Sequence, residues 1–127
     1  MRLFTSQRQK TGELGEAIAC RWLVSKGYTL LDRNFTCTLG EIDIIAQKDS
    51  ILHFYEVKSV LIHKDTVKPW YNPSENITYT KIRKIIATIT HYFTLHPYSL
   101  YQIDALIVYI YPNNKAIVRV IEFINIQ

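Results

Sequence analysis

Glycine, proline and cysteine are scarce in this sequence, which holds four glycines, four prolines and two cysteines in 127 residues. Such a composition excludes collagen-like, proline-rich and low-complexity chains. Cys20 and Cys37 stand outside any CxxC or Cys/His cluster. The sequence therefore indicates two reduced thiols, and neither a zinc motif nor a disulfide framework.

Long hydrophobic runs are also missing. The apolar runs that are present, such as residues 105–110, fall far short of the roughly 20 residues that a membrane-spanning helix needs. The N-terminal segment turns polar after Phe4 and has no apolar stretch typical of a signal peptide. We therefore expect a cytoplasmic protein that does not associate with membranes.

What is present is an ordinary globular composition, 48% hydrophobic and 20% charged. The length suits one domain over residues 1–127. Fifteen Lys and Arg residues outweigh eleven Asp and Glu residues, and the excess cations concentrate in residues 1–10 and 60–84. A basic domain of this kind is compatible with a polyanionic partner such as nucleic acid.

Hydrophobic spacing and turn residues predict the order αβββαββ, and so a mixed α/β domain. A long connection, residues 59–76, contains Trp70 and Tyr71, which either stack on unpaired bases or pack locally. The predicted helices cover residues 10–26 and 80–93, and the predicted strands cover residues 28–35, 41–47, 51–59, 102–111 and 115–123.

The first predicted helix contains two glycines, Gly12 and Gly15. Each would destabilise a helix interior by about 1 kcal/mol relative to Ala. Either the helix begins near Gly15, or something approaches its backbone closely. Glu16 lies on the same helical face as Cys20 and Leu23. We expect its carboxylate to point toward the sheet.

The segment GEIDIIAQKDSILHFYEVKS places charged residues among the apolar residues of two predicted strands. Because side chains alternate along a strand, Glu56 and Lys58 share one face. A hairpin turn centred on residues 48–49 puts Asp43 diagonal to Glu56, and one centred on residues 49–50 puts it directly opposite. Either register brings the two carboxylates to about 5–8 Å between Cβ atoms, whereas an odd register separates them.

Two carboxylates this close on a half-buried sheet repel each other and lose hydration unless a cation compensates them. Mg²⁺ takes oxygen ligands of this kind, usually one or two carboxylates with waters and phosphate oxygens. Asp43 and Glu56 are therefore a candidate metal site, at which an ion would stabilise a scissile phosphate and activate a water. Lys58 would orient or help to deprotonate that water. Alternatively, Lys58 forms an ordinary ion pair with one of the carboxylates.

Five motifs, GELGE, GEIDIIA, FYEVKS, TYTKI and QIDALIV, occur in this order along nearly the whole chain. In this ordered set the sequence resembles the YraN-like family of the PD-(D/E)XK nuclease superfamily, and it is similar to the archaeal Holliday-junction resolvases. The resemblance implies a restriction-endonuclease-like αβββαβ core and a Mg²⁺- or Mn²⁺-dependent endonuclease acting on branched or structured DNA. The alternatives are a nucleic-acid-binding module that keeps this fold without cleaving, and a protein-interaction domain whose acidic cluster is merely salt-bridged.

The resemblance also implies roles for individual residues. Glu16 matches the acidic residue that the family's first helix contributes to the site, and Glu41 is left open between a supporting and a structural role. The implied metal ligands are Asp43, Glu56 and the Val57 carbonyl, and the group implied to serve the attacking water is Lys58.

Three departures from the family pattern are visible. Ile42 stands in place of the proline of the superfamily's name. Val60 stands where the family usually has a basic residue, and Gln102-Ile103 replaces an Arg–aromatic pair. The last two changes remove expected cations or packing groups, so they bear on substrate affinity more than on the metal site.

Lys81, Arg83 and Lys84 lie near the N-terminal end of the second predicted helix and are candidate nucleic-acid-binding residues. Lysine and helix N-terminal N–H groups both favour phosphate, and a solvated helix face is the equal alternative. Asp104 is interpreted as structural, and the four histidines, which lack metal-ligand spacing, as non-catalytic.

Cleavage of a four-way junction needs two symmetric nicks, so a resolvase-like activity implies a two-fold homodimer. The fourth predicted strand, taken as an outer strand, carries an alternating apolar stripe. That stripe either forms the interface between chains or is covered by one of the chain's own helices. Its members are Tyr101, Ile103, Ala105, Ile107, Tyr109 and Tyr111.

Overall fold

The computed structural model describes residues 6–63 and 78–126, so the predictions for Trp70 and Tyr71 lie outside the described residues. No helix among the described elements is long and apolar enough to cross a membrane. The helices are α1, Gln7–Ser25, and α2, Tyr79–Leu95, and the strands are β1, Thr29–Cys37, β2, Gly40–Lys48, β3, Ile51–Leu61, β4, Tyr101–Ile110, and β5, Ala116–Ile126.

The five strands form one sheet in the order β1-β2-β3-β4-β5. Strands β3 and β4 are parallel, and the other neighbouring pairs are antiparallel. Helix α2 lies in the connection between the two parallel strands, which is the usual way for a parallel pair to be joined. The predicted αβββαββ order and mixed α/β fold class are confirmed, and the arrangement is compatible with a restriction-endonuclease-like core.

The two helices pack on opposite faces of the sheet. Leu23 of α1 belongs to one apolar cluster with Tyr55, and Ile89 of α2 belongs to another with Phe54. Because Phe54 and Tyr55 are consecutive strand residues, their side chains point to opposite faces. Burial of these large apolar side chains, at about 25 cal/mol per Å² of apolar surface, is the main favourable term that holds the helices to the sheet.

Helix α1 begins earlier than predicted, because Ser6 caps it. The Gln9 N–H donates to Ser6 Oγ at 3.1 Å, and the Ser6 N–H donates to Gln9 Oε1 at 2.9 Å. This reciprocal pair is a capping box. Gly12 and Gly15 therefore lie inside the helix. At Gly15 the predicted close approach is confirmed, because a Cβ there would lie 2.8 Å from the Cβ of Ser59 in β3.

The turn between β2 and β3 fixes their register. Asp49 and Ser50 have φ angles of 52° and 66°, and two consecutive positive φ angles make the type I′ turn that suits a two-residue hairpin. The register is centred on these two residues. Of the two even registers predicted from the sequence, the one that sets Asp43 opposite Glu56 is the one that forms.

Strand β4 lies between β3 and β5, so the prediction that it is an outer strand is wrong. Ile103 packs in the cluster of α2, Ala105 and Ile107 are 0% exposed, and Tyr109 is buried. These members of the stripe are therefore covered within the chain, while Tyr101 and Tyr111 are half-buried, and the homodimer stays a prediction. The parallel pairing of β4 with β3 explains the difference, because it moves β4 into the sheet interior.

Candidate functional site

The candidate site lies where β2 and β3 separate. Their backbone pairing ends at Ile44 and Tyr55. Beyond that point β2 continues beside β1, and β3 continues beside β4. Asp43 and Glu56 are the first residues past the last pair, so their side chains stand at the mouth of the fork between the two strands.

Asp43 bridges this fork through a hydrogen bond. The Val57 N–H donates to Asp43 Oδ2 at 2.8 Å. In a strand, the N–H and C=O of one residue point to the same side. The Val57 carbonyl therefore also faces the fork, and not β4. This is the orientation that the family resemblance requires of a backbone metal ligand.

Strand β2 is irregular at Asp43. Ile42 and Ile45 belong to the cluster on the α2 side, whereas Ile44 belongs to the cluster on the α1 side. Residues two apart in a regular strand share a face, so the alternation is interrupted between Ile42 and Ile44. The interruption leaves the Asp43 carboxylate at the strand edge, where it meets the Val57 N–H.

The environment of Asp43 disfavours its charge. The residue is 8% exposed, and its pKa is raised to about 7. Burial is the largest cause and the nearby Glu56 carboxylate is the second, with smaller contributions from Glu16 and Glu41, while the Val57 hydrogen bond lowers the pKa. Burial and like-charge proximity thus both raise the pKa of one carboxylate of the pair. Carboxylates from α1, β2 and β3 share one electrostatic site.

Glu16 reaches this site from α1. It is half-buried on the face that also carries the buried Leu23, as predicted. Burial raises the pKa of Glu16, the neighbouring Arg33 and a hydrogen bond with the Asn34 side chain lower it, and Glu41 and Glu56 raise it further. Arg33 Nη2 lies 3.8 Å from Glu16 Oε1.

Sequence reasoning missed Arg33 and Asn34. The available signal was the polar run Asp32-Arg33-Asn34 inside a predicted strand that otherwise carries mostly apolar residues. Asn34 also adopts a positive φ of 53°, a backbone conformation that Asn tolerates better than most residues.

The cation beside Glu56 comes from α2. Lys81 Nζ forms an ion pair with Glu56 Oε1, with side chains that are 46% and 16% exposed, respectively. An ordinary ion pair of Lys58 with Glu56 or Asp43, the alternative left open by the sequence, does not occur among the described residues. Lys58 is half-buried and lines a cleft together with Glu16.

The other predicted residues lie farther out. The Arg83 guanidinium carbon is 5.9 Å from the ring centroid of Tyr79. Lys84 and Glu41 are exposed. Of the three predicted phosphate-binding residues on α2, Lys81 is the one that contacts a site carboxylate, and phosphate binding by Lys81, Arg83 and Lys84 stays a prediction.

The donor set at the fork consists of oxygen atoms. Across residues 6–63 and 78–126, no three His, Cys, Asp or Glu side chains form a group arranged to hold a metal ion. Asp43, Glu56 and the Val57 carbonyl are nevertheless the donor types that Mg²⁺ and Mn²⁺ prefer, and Mg²⁺ commonly takes one or two carboxylates with waters. The set therefore fits a water-rich Mg²⁺ site and not a closed cage of protein ligands.

A second polar cluster is buried away from the fork. His53 Nδ1 and Asp104 Oδ2 are 3.0 Å apart. Gln102 Nε2 donates to both oxygens of the Asp104 carboxylate at 2.9 and 3.0 Å. The His53 ring stacks on Tyr55 and meets Tyr28 edge-on. The cluster is internally satisfied, which supports the structural interpretation of Asp104.

Comparison with known proteins matches residues 15–108 to the model of the Uncharacterised protein family UPF0102. A UPF0102 protein of Campylobacter fetus subsp. fetus (strain 82-40) is 47% identical over 94 residues, covering 73% of this chain and 78% of the relative. A UPF0102 protein of Helicobacter pylori (strain G27) is 41% identical over 109 residues, covering 85% and 89%. A UPF0102 protein of Clostridium perfringens (strain 13 / Type A) is 42% identical over 90 residues, covering 71% and 68%. The chain belongs to the Uncharacterised protein family UPF0102.

Proposed function

We propose that this protein is a metal-dependent nuclease that hydrolyses phosphodiester bonds of DNA. The observation that carries the proposal is the position of Asp43, a buried carboxylate whose pKa is raised to about 7 and which is surrounded by further carboxylates. A divalent cation stabilises such a cluster because it compensates the repulsion between the carboxylates. The resemblance to PD-(D/E)XK nucleases supports the same conclusion.

Asp43, Glu56 and the Val57 carbonyl would hold the metal ion. When bound, Mg²⁺ or Mn²⁺ supplies charge stabilisation to the phosphoryl oxygens and lowers the pKa of a coordinated water. Glu16 would bind waters of the outer coordination sphere from the α1 side. Lys58 would orient the attacking water, because strand alternation puts it on the same face of β3 as Glu56.

The substrate we propose is branched or otherwise structured DNA. A chain of 127 residues offers little surface for reading base edges in the major groove. Recognition would rest on phosphate contacts and on DNA shape. Lys81 would contact a phosphate next to the scissile bond after leaving Glu56, and Arg83 and Lys84 would extend that contact along α2.

A second candidate function is a nucleic-acid-binding module that does not cleave. Two observations favour it. Lys81 already supplies a cation to Glu56, and the described residues contain no group of three metal-binding side chains. In this case the fork would be a satisfied ion-pair network, and the basic surface alone would act on DNA.

A cleavage screen tests the proposal and separates the two candidates. Four-way junctions, flaps, single strands and duplexes would be incubated with the chain and Mg²⁺ or Mn²⁺. We expect cleavage of at least one branched substrate, and its loss in Asp43→Asn and Lys58→Met. Asp49→Asn is the matched control, because it makes the same chemical change in the hairpin turn, away from the fork. Tight DNA binding without cleavage under either metal would establish the second candidate instead.

A further inference from the structure

Gly12 has no explanation within the described part of the chain. It is an interior residue of α1, where glycine destabilises a helix. Its φ angle is not among the positive ones, so no special backbone conformation requires it. Of the described residues, none lies within 4 Å of a Cβ built on Gly12. This contrasts with Gly15, where Ser59 leaves no room for a side chain.

Gly12 lines a cleft between the N-terminal half of α1 and strand β3. The cleft has a volume of about 440 Å³, which lies in the range of ligand-binding sites. Arg8 and Glu16 line it on the helix side, and Val57, Lys58 and Ser59 line it on the strand side. A side chain at position 12 would project into this space.

The charges of the cleft favour an anion. Arg8 brings a positive charge, and Glu16, the one carboxylate among the described lining residues, already has Arg33 beside it. The Lys58 side chain points to the opposite face of the sheet, because its neighbours Val57 and Ser59 face α1. Glycine is the residue that allows another backbone or a ligand to approach a helix closely. A chain of phosphates that passes along the cleft would meet Arg8 near the N-terminal end of α1 and then an unobstructed helix surface at Gly12.

We propose that this cleft binds the sugar–phosphate backbone of one DNA strand next to the scissile phosphate, and that Gly12, having no side chain, lets that strand approach α1. The inference rests on the proposed function, because two residues that line the cleft also act on Asp43, Val57 by a hydrogen bond and Glu16 through its charge. It assigns Arg8 as a phosphate-binding residue and makes single-stranded or locally unpaired DNA the segment that enters the site.

The test measures DNA binding without metal, by fluorescence anisotropy of a labelled branched oligonucleotide in EDTA. Gly12→Leu should fill the cleft and weaken binding at least tenfold, while the melting temperature stays equal or rises. Arg8→Gln should weaken binding several-fold and reduce the slope of log K against log salt by about one. Lys10→Gln is the matched control, since it removes the same charge from the same helix at a residue outside the cleft lining.

Gly12→Ala is a second, smaller substitution that tests the same position if Gly12→Leu fails to fold. It should raise the melting temperature and weaken binding by a smaller factor. Binding by both Gly12 variants within twofold of the parent, or equal effects of Arg8→Gln and Lys10→Gln, would overturn the inference. A parent chain that binds phosphate but no DNA would also overturn it. If the Gly12 variants bind DNA more weakly but no cleavage occurs with either metal, the cleft is confirmed as a DNA-binding site and only the nuclease proposal is overturned.

Discussion

The ammonium group of Lys81 on α2 forms an ion pair with Glu56 Oε1 on β3. A cation of the chain thus contacts a carboxylate that we assign to the metal. Lys81 and a divalent ion would compete for Glu56, so Lys81→Met should tighten Mn²⁺ binding in the absence of DNA. Because the Lys81 side chain is half exposed, we expect a modest effect, roughly two- to tenfold in Kd. Isothermal titration calorimetry measures it.

Lys84→Met is the control for this prediction, since it removes from the same helix a lysine that forms no ion pair with Glu56 in the described structure. Equal behaviour of the two variants, or weaker Mn²⁺ binding by Lys81→Met, would show that Lys81 does not compete for the site. Lys81→Met should also bind DNA less tightly than the parent, because it lacks the ammonium group that we assign to a phosphate.

The raised pKa of Asp43 predicts a pH-dependent stability. The folded-state pKa is about 7, above the ordinary value of 3.8, so the folded chain binds this proton more tightly than the unfolded chain does. The contribution of this proton to the free energy of unfolding is fully present below about pH 4. It is lost as the pH rises toward 7, by on the order of 4 kcal/mol at most. Asp43→Asn removes this dependence. We expect the variant to match the parent at pH 4 and to exceed it at pH 8 in metal-free denaturant titrations.

Asparagine is the suitable replacement, because its side-chain oxygen can still accept the Val57 N–H. Asp49→Asn provides the control for the loss of one carboxylate. A lower free energy of unfolding for Asp43→Asn at pH 8 would identify Asp43 as a structural partner whose charge the fold needs. Added Mn²⁺ should restore stability to the parent and not to the variant, by mass action on the folded state.

The local sequence pattern was sufficient to predict the helices and strands, and to predict that Asp43 and Glu56 lie together. Strand alternation put Glu56 and Lys58 on one face, and an even hairpin register put Asp43 with Glu56. The sequence did not choose between the two even registers, because Asp49-Ser50 contains no glycine to mark the type I′ turn. The capping box at Ser6 was missed because no apolar residue follows it within the first turn.

Contacts between elements that are distant in sequence could not be predicted from the local pattern. The pairing of Lys81 with Glu56 joins residues of different elements whose relative placement depends on the crossover from β3 to β4. Strand order depends on the same crossover, so the local pattern could not show that β4 lies between β3 and β5, and it was predicted to be an outer strand. A signal was available there, since the unbroken apolar run 105–110 is typical of a parallel strand buried on both faces.

Asp104 provides a test of the structural interpretation of the buried polar cluster. Asp104→Ala leaves His53 and Gln102 without a partner in the sheet interior, so we expect a loss of about 2–4 kcal/mol in the free energy of unfolding. Metal binding and DNA binding of the folded fraction should not change. Denaturant titration and anisotropy at low temperature measure the two quantities. Glu13→Ala, an exposed carboxylate on α1, should stay within about 0.5 kcal/mol of the parent. Loss of DNA binding in Asp104→Ala at full stability would reassign this cluster to function.

The two helix glycines should respond oppositely to alanine. At Gly15 a Cβ would collide with Ser59, whose own Cβ would be 2.8 Å away. Gly15→Ala should therefore destabilise the fold by about 1–2 kcal/mol, as overpacking outweighs the gain in helix propensity. Gly12→Ala meets no described residue and should stabilise the fold by about 0.5–1 kcal/mol. The double variant Gly15→Ala/Ser59→Gly removes the collision and should recover part of the loss, so the sign of its coupling energy is the decisive measurement. Additive effects of the two substitutions would show that α1 and β3 do not meet at this point.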